Sequence, residues 1–187
     1  MISTEQLIKE VQEGQMQAFS GLVDQHKNLV YSLVMRMVKN SQDAEEVAQD
    51  TFVKAFKSIK QFKGESKFST WLYKIAYFTA INHLREKQLL SSSLDLTDIE
   101  SEDSSALEQL NQADRIKYLH QAIGYLRPID RNLISLYYLD ELSIKEIQEI
   151  TLFTEANIKV KLLRIRKQLN GLLKAMLNDE LQSLIKN

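Results

Sequence analysis

One proline and five glycines are all that interrupt 187 residues otherwise rich in Leu, Ile, Lys, Glu and Gln. In a helix interior proline costs about 3 kcal/mol and glycine about 1 kcal/mol relative to alanine, so little in this chain opposes helix formation. The single proline, Pro128, suits the first turn of a helix, where its missing N–H is no loss. The expectation is an all-α protein. Its length allows one medium core or two small ones.

Several function classes drop out on residue content. The chain has no cysteine, so disulfides and thiolate metal sites are absent. His26, His83 and His120 lie far apart with no ligand-like spacing, which speaks against a metal site. No phosphate-binding glycine loop, activated nucleophile or carboxylate–histidine cluster is visible, so no enzyme and no cofactor is expected. The opening MISTEQLIKEVQEG is polar and helical in pattern, and no apolar run approaches the roughly 18 residues of a membrane span. A cytoplasmic protein without membrane insertion is the expectation.

The net charge of −1 conceals a pattern. Residues 1–90 carry 12 Lys/Arg against 10 Asp/Glu, residues 91–114 carry none against 7, and residues 115–187 carry 12 against 8. Two mildly basic blocks thus flank a wholly acidic one rich in Ser, as expected of two nucleic-acid-facing modules joined by a flexible linker. The boundaries expected are a domain over 1–88, an acidic linker over 89–114 and a second domain over 115–187.

Apolar periodicity places the helices. Leu7, Ile8 and Val11 predict a short first helix ending near Gly14, and Phe19 to Met37 a longer one ending near Lys39. SQDAEEVAQDTFVKAFKSI follows, with Ser41 or Asp43 as N-cap. Its core stripe is Ala44, Val47, Ala48, Thr51, Phe52, Ala55 and Ile59, leaving Glu46, Gln49, Asp50 and Val53 outside: an acidic face, either solvated or docked on a partner. After a loop around Gly64, Ser69 or Thr70 can cap FSTWLYKIAYFTAINHLR, which holds the only tryptophan. One face there is Leu72, Ile75, Ala76, Thr79 and His83; Lys74, Tyr77, Phe78, Ile81 and Arg85 lie mostly opposite. That second face needs a partner, which could be another protein, single-stranded nucleic acid stacked on the rings, or a neighbouring helix of the same chain.

In the last block Ile116, Leu119, Ile123 and Leu126 predict a core face, and Pro128 opens the next helix. Ser143 with Glu146 three residues on forms a capping box before Ile144, Ile147 and Ile150. After a turn over 151–153, Thr154 caps a longer basic helix with Ile158, Leu162, Ile165 and Leu169 on its buried stripe. Short helix, tight turn, basic helix is the helix-turn-helix pattern, to be weighed against a solvated basic helix in a bundle. The outward residues are Asn157, Lys159, Val160, Lys161, Leu163, Arg164, Arg166 and Lys167. Asn can pair with adenine, Arg or Lys with guanine, and Val or Leu can touch a thymine methyl.

Together DAEEVAQDTFVKAF, FKGESKFSTWLYKIA and LRPIDRNLISLYYLDELSIKEIQEI…IKVKLLRIRKQL resemble the docking helix, promoter-melting segment and C-terminal DNA-binding domain of the group IV, extracytoplasmic-function sigma factors of the sigma-70 family. The resemblance covers nearly the whole chain. It implies a sigma-2 helical bundle and a sigma-4 helix-turn-helix domain joined by the acidic linker. It further implies a transcription initiation subunit that binds core RNA polymerase, reads minus-10 and minus-35 promoter DNA and is restrained by an anti-sigma factor. No small-molecule substrate is implied. By position, Asp43, Glu46, Gln49, Asp50 and Phe52 would meet polymerase. Lys63, Ser66, Lys67, Trp71, Lys74, Tyr77, Phe78, Asn82 and Arg85 would meet the melted minus-10 strand. Thr154, Asn157, Lys159, Val160, Lys161, Arg164 and Arg166 would meet the minus-35 duplex. Phe78 stands where the family commonly has Asn, Leu152 replaces a frequent turn Gly, and Ala156 and Val160 replace a common Gly and Ser. The alternative reading is a sigma-like decoy that sequesters an anti-sigma factor without initiating transcription; a weaker one, a stand-alone helix-turn-helix regulator, leaves residues 1–90 unexplained.

Overall fold

The computed structural model describes residues 2–90 and 112–185; the acidic stretch 91–111 lies outside them. All regular structure among the described residues is helical. The order is α1 (Thr4–Gln12), α2 (Phe19–Val38), α3 (Ser41–Ser58), α4 (Phe68–Leu90), α5 (Gln112–Tyr125), α6 (Pro128–Tyr138), α7 (Ile144–Thr151) and α8 (Glu155–Ile185). Short 3-10 turns precede α2 and follow α3.

Local chemistry accounts for most of the boundaries. Ser3 caps α1 by accepting from the Gln6 N–H at 3.2 Å, and Gly14 takes the positive φ of 104° that carries the chain out of it. α2 ends in a left-handed residue, Lys39, and only Asn40 remains extended before α3 begins. Asn40, rather than Ser41 or Asp43, is therefore the cap, its side-chain oxygen accepting from the Asp43 N–H at 3.0 Å. α4 likewise starts at Phe68, ahead of the expected caps Ser69 and Thr70, which lie inside the helix.

α2, α3 and α4 pack on one another with α1 laid across α2; α5, α6 and α7 gather on α8. The two groups also touch, α4 against α7 and α2 against α6. α6 is consequently wrapped on every side, and Asp130 through Leu136 are all buried. The phase of α5 departs in part from expectation: Leu126, just past its end, is buried and Ile123 half-buried as expected, but Ile116 and Leu119 are exposed, and Tyr118 and Ala122, at i−8 and i−4 from Leu126, are buried in their place. Packing on α8 selects that stripe from two that the apolar spacing allows.

Candidate nucleic-acid interface

On α3 the residues at Glu46, Gln49, Asp50 and Val53 are exposed along one face, opposite the buried Ala44, Val47, Ala48, Thr51 and Ala55. Phe52 is half-buried and packs against the core. Asp43 differs from its neighbours. Its carboxylate accepts from the Lys87 ammonium and stands 3.6 Å from His83 Nε2, both on α4, and those partners hold it below the usual aspartate range. The Lys87 hydrogen bond does most of this, against the opposing effect of burial, and the Lys87 charge and His83 add less. Asp43 thus ties the start of α3 to the end of α4, so the free acidic face is Glu46, Gln49 and Asp50.

The loop before α4 exposes Lys63 and Lys67, with Ser66 half-buried. Trp71 stacks into an aromatic cluster, its ring centroid 5.3 Å from Phe62 and 5.5 Å from Phe68. Lys74, Phe78, Asn82 and Arg85, spaced by three or four residues, run along one side of α4, half-buried at the first two positions and exposed at the last two. Tyr77 is not on that outer side. It is 2% exposed, edge-on to Phe78 at 5.3 Å, and burial first, then the charge of Asp130, pushes its hydroxyl up to about 12. α4 packs against α2 and α3 and also against α7, and of the rings that spacing assigned to an outer face Tyr77 is buried and Phe78 half-buried.

α7 carries the expected capping box. Ser143 Oγ accepts from the Glu146 N–H at 3.2 Å, while the Ser143 N–H and hydroxyl donate to Glu146 Oε2 at 2.9 and 2.8 Å. α7 ends at Leu152 with φ of 61°, a left-handed residue where glycine costs nothing. Thr154 Oγ1 then accepts from the Asn157 N–H at 3.2 Å and opens α8. Ile158, Leu162, Ile165 and Leu169 are buried; Asn157, Lys159, Val160, Leu163, Arg164, Arg166 and Lys167 are exposed. Lys159 pairs with Glu155 at 2.6 Å, a turn away, and the Lys161 ammonium sits 5.2 Å from the Phe153 ring centre. The remaining cations of this face are available to a polyanion.

The seam between the two groups holds residues that no periodicity pointed to. Arg36 on α2 grips Asp140 with two bonds, 3.2 and 2.5 Å. Burial first and the Asp140 charge second push the nearby Tyr73 hydroxyl up to about 12. The Arg131 guanidinium, buried and kept below its usual range by that burial, donates to the carbonyls of Ile123 (3.3 Å), Gly124 (3.3 Å) and Leu126 (2.7 Å) and to Arg36 O at 2.7 Å. Lys39 also donates to Gly124 O. Lys67, from the loop before α4, reaches Glu146 Oε1 on α7 at 2.8 Å. That bond raises the lysine above its usual range and helps, with the Ser143 bonds, to bring Glu146 down to about 2.

An acidic outer face on one helical bundle, with a capped helix-turn-helix and basic second helix in the other, sits in a chain with two family matches. Residues 22–89 match sigma-70 region 2 and residues 116–169 match sigma-70, region 4. The chain is 30% identical over 185 residues to the RNA polymerase sigma-H factor of Pseudomonas aeruginosa, covering 94% of this chain and 96% of that protein. The ECF RNA polymerase sigma factor SigW of Bacillus subtilis is 33% identical over 184 residues, 88% of this chain and 96% of that one. The chain belongs to the extracytoplasmic-function sigma factors of the sigma-70 family. The fold matches CnrH in complex with the cytosolic domain of CnrY at a TM-score of 0.64 and 21% identity, covering 90% of this chain and 96% of that one. It also matches RpoE of Bartonella quintana, solved with the anti-sigma factor NepR, at 0.64 and 20% identity over 83% and 96%. As a transcription initiation sigma factor the chain belongs to a group of specificity subunits rather than enzymes. Among the described residues, no helix is long and apolar enough to cross a membrane and no His/Cys/Asp/Glu group has the arrangement of a metal site.

Proposed function

We propose that this sigma factor docks on core RNA polymerase through Glu46, Gln49 and Asp50 of α3, with Phe52 beneath them, and directs it to promoters of its own. Residues 1–88 act as the docking and melting unit, 115–187 as the duplex-reading unit, and 89–114 as their connection. Lys63, Ser66 and Lys67 receive the displaced strand, and Trp71, Lys74, Phe78, Asn82 and Arg85 line its path along α4. Stacking on rings beside cations is how single strands are held without a duplex. Asn157, Lys159, Val160, Lys161, Arg164 and Arg166 face the major groove of the minus-35 element, with Thr154 at the phosphate-facing helix start. Tyr77 and Asp43, both expected to make contacts, support these surfaces from within the protein.

The observation that carries this reading is the exposed basic face of α8 immediately behind a capped α7, in one chain with the exposed acidic face of α3. Both solved neighbours were captured with a protein partner, CnrY and the anti-sigma factor NepR, and a restraining partner of that kind is part of the proposal. Its working place is then the cytoplasm, with the polymerase. The decoy alternative has no observation in its favour.

The test is transcription in vitro with purified chain, core polymerase and a library of upstream regions. Promoter-specific transcripts are expected; stable core binding with no transcript at any promoter overturns the reading. Arg164→Ala is expected to cost about 1–3 kcal/mol at one base position, and Lys159→Ala to lower the salt slope of binding by about 1 at all sequences.

A further inference from the structure

We propose that α7 and the displaced promoter strand compete for Lys67, so that the closed chain masks this cation of its own strand-capturing loop until the two halves part. The inference rests on the reading of residues 63–67 as part of that surface. Lys67 is one cation with two possible anionic partners, and in the closed arrangement it belongs to Glu146 at 2.8 Å. Glu146 is built to hold it. The Ser143 bonds fix Oε2 and orient the carboxylate, leaving Oε1 aimed at the loop. The acceptor is therefore in place before Lys67 arrives, and little rotamer freedom is lost on its side.

The rest of the seam fits a contact that is stable but made to open. Arg36 and Asp140 supply a second ion pair, with the side chains 20% and 18% exposed, and α7 packs against α4, the helix that carries the buried Tyr73 and Tyr77. Against this, some polar atoms are buried with no partner, among them both amide atoms of Asn132, the Ser135 hydroxyl and Arg36 Nε. Asn132 and Ser135 are on α6, the helix that meets α2. Each such group disfavours the state that buries it, and separation of the halves would give water access to any that lie at the seam. Ion pairs that favour closing, set against unpaired dipoles that disfavour it, make an arrangement that salt and a polyanion can shift.

The chain lacks cysteine, so Gln61→Cys and Gln148→Cys, at exposed positions on the two halves, can carry a fluorescent donor and acceptor at defined places. The full chain is measured with a single-stranded DNA oligomer of about 12 nucleotides. Glu146→Gln keeps the capping box, because Gln serves there as well as Glu, and removes the charge that holds Lys67. It is expected to lower energy transfer and to raise oligomer affinity about two- to fivefold, the scale of one exposed ion pair in a largely closed population. Lys67→Gln is expected to lower energy transfer equally but to weaken oligomer binding. If Glu146→Gln, and Glu146→Gln with Asp140→Asn, both leave transfer and oligomer affinity unchanged, the masking is wrong. Opening without a gain in oligomer affinity also overturns the competition. If instead Glu146→Gln opens the chain and tightens binding while Lys67→Gln binds the oligomer as the parent does, the masking stands and the assignment of Lys67 to the strand falls.

Discussion

Arg131→Met removes one guanidinium that serves four carbonyl oxygens; Gly124 O keeps the Lys39 ammonium and Ile123 O keeps the Leu126 N–H, so those of Leu126 and Arg36 are left to find other partners. Three of the four, on Ile123, Gly124 and Leu126, lie at or just past the end of α5, where intrahelical N–H donors run out, and the fourth, on Arg36, belongs to the last turn of α2. Arg131 is therefore a C-terminal cap for two helices at once, one from each half of the chain. Two of its bonds are short, at 2.7 Å, and two are long, at 3.3 Å. A hydrogen bond to a charged group contributes about 1.5–3 kcal/mol net, so the short pair supplies roughly 3–6 kcal/mol and the long pair about one more. Ordering the arginine costs up to about 2 kcal/mol. Methionine restores some of the buried apolar contact of the stem, so the expected loss is about 3–5 kcal/mol, out of a total that for most domains is about 5–15.

Urea unfolding followed by circular dichroism reads this directly. In a chain of this length 1 kcal/mol corresponds to about 2–4 °C in melting temperature, so a fall of about 6–20 °C accompanies it. Arg131→Lys is expected to fall between, because an ammonium can hold one or two of the four carbonyls but not all of them in one plane. A loss below about 1 kcal/mol for Arg131→Met would refute the reasoning, since it would mean that water satisfies those carbonyls as well as the guanidinium does.

Leu152→Gly is expected to stabilise the helix-turn-helix by about 0.5–1 kcal/mol: the left-handed φ of 61° strains a leucine, and the side chain, 62% exposed, packs against little. Thermal melts check the sign, and a clear loss would show that Leu152 packs more than its exposure allows. Asp50→Arg is expected to abolish binding to core polymerase with the fold intact. Asp43→Asn should leave polymerase binding in place and speed amide exchange near Lys87, because its charge is engaged inside the chain; equal losses in polymerase affinity from both would refute that division. For the Lys67–Glu146 contact the pH dependence has a definite sign. Glu146 is held below its ordinary value, to about 2, so its contribution is complete above the ordinary glutamate range near 4.5 and is lost as pH falls toward 2. Energy transfer between the halves should then be flat from pH 6 to 8 at fixed salt, roughly two units above that range, and fall when salt is raised; a change within that pH window would point to a different group.

Helix positions were legible because breakers are so few and because caps are local: the Ser143–Glu146 box, Pro128 at the first turn and the Gly14 exit follow from residues a few places apart. Phase was legible only where a helix has one buried side. The acidic face of α3 and the basic face of α8 look outward as expected, and their core stripes are buried as expected. α5 offered two apolar stripes, and contact with α8 chose the one containing Tyr118, Ala122 and Leu126. A lone carboxylate such as Asp43 looks the same in sequence whether it awaits a partner protein or is already tied to Lys87, 44 residues away.

α4 shows the limit most clearly. Spacing required a partner for its second face and could not distinguish a DNA strand from a helix of the same chain, because rings and cations suit either. In the closed arrangement α4 meets α7, which through Glu146 draws Lys67 into an ion pair; Tyr77 is buried, while Asn82 and Arg85 stay exposed. The ambiguity in the sequence is then physical as well as inferential. A surface of rings and cations that suits bases and phosphates also suits an amphipathic helix with a fixed carboxylate, and on the proposed reading the same residues serve both occupants in turn.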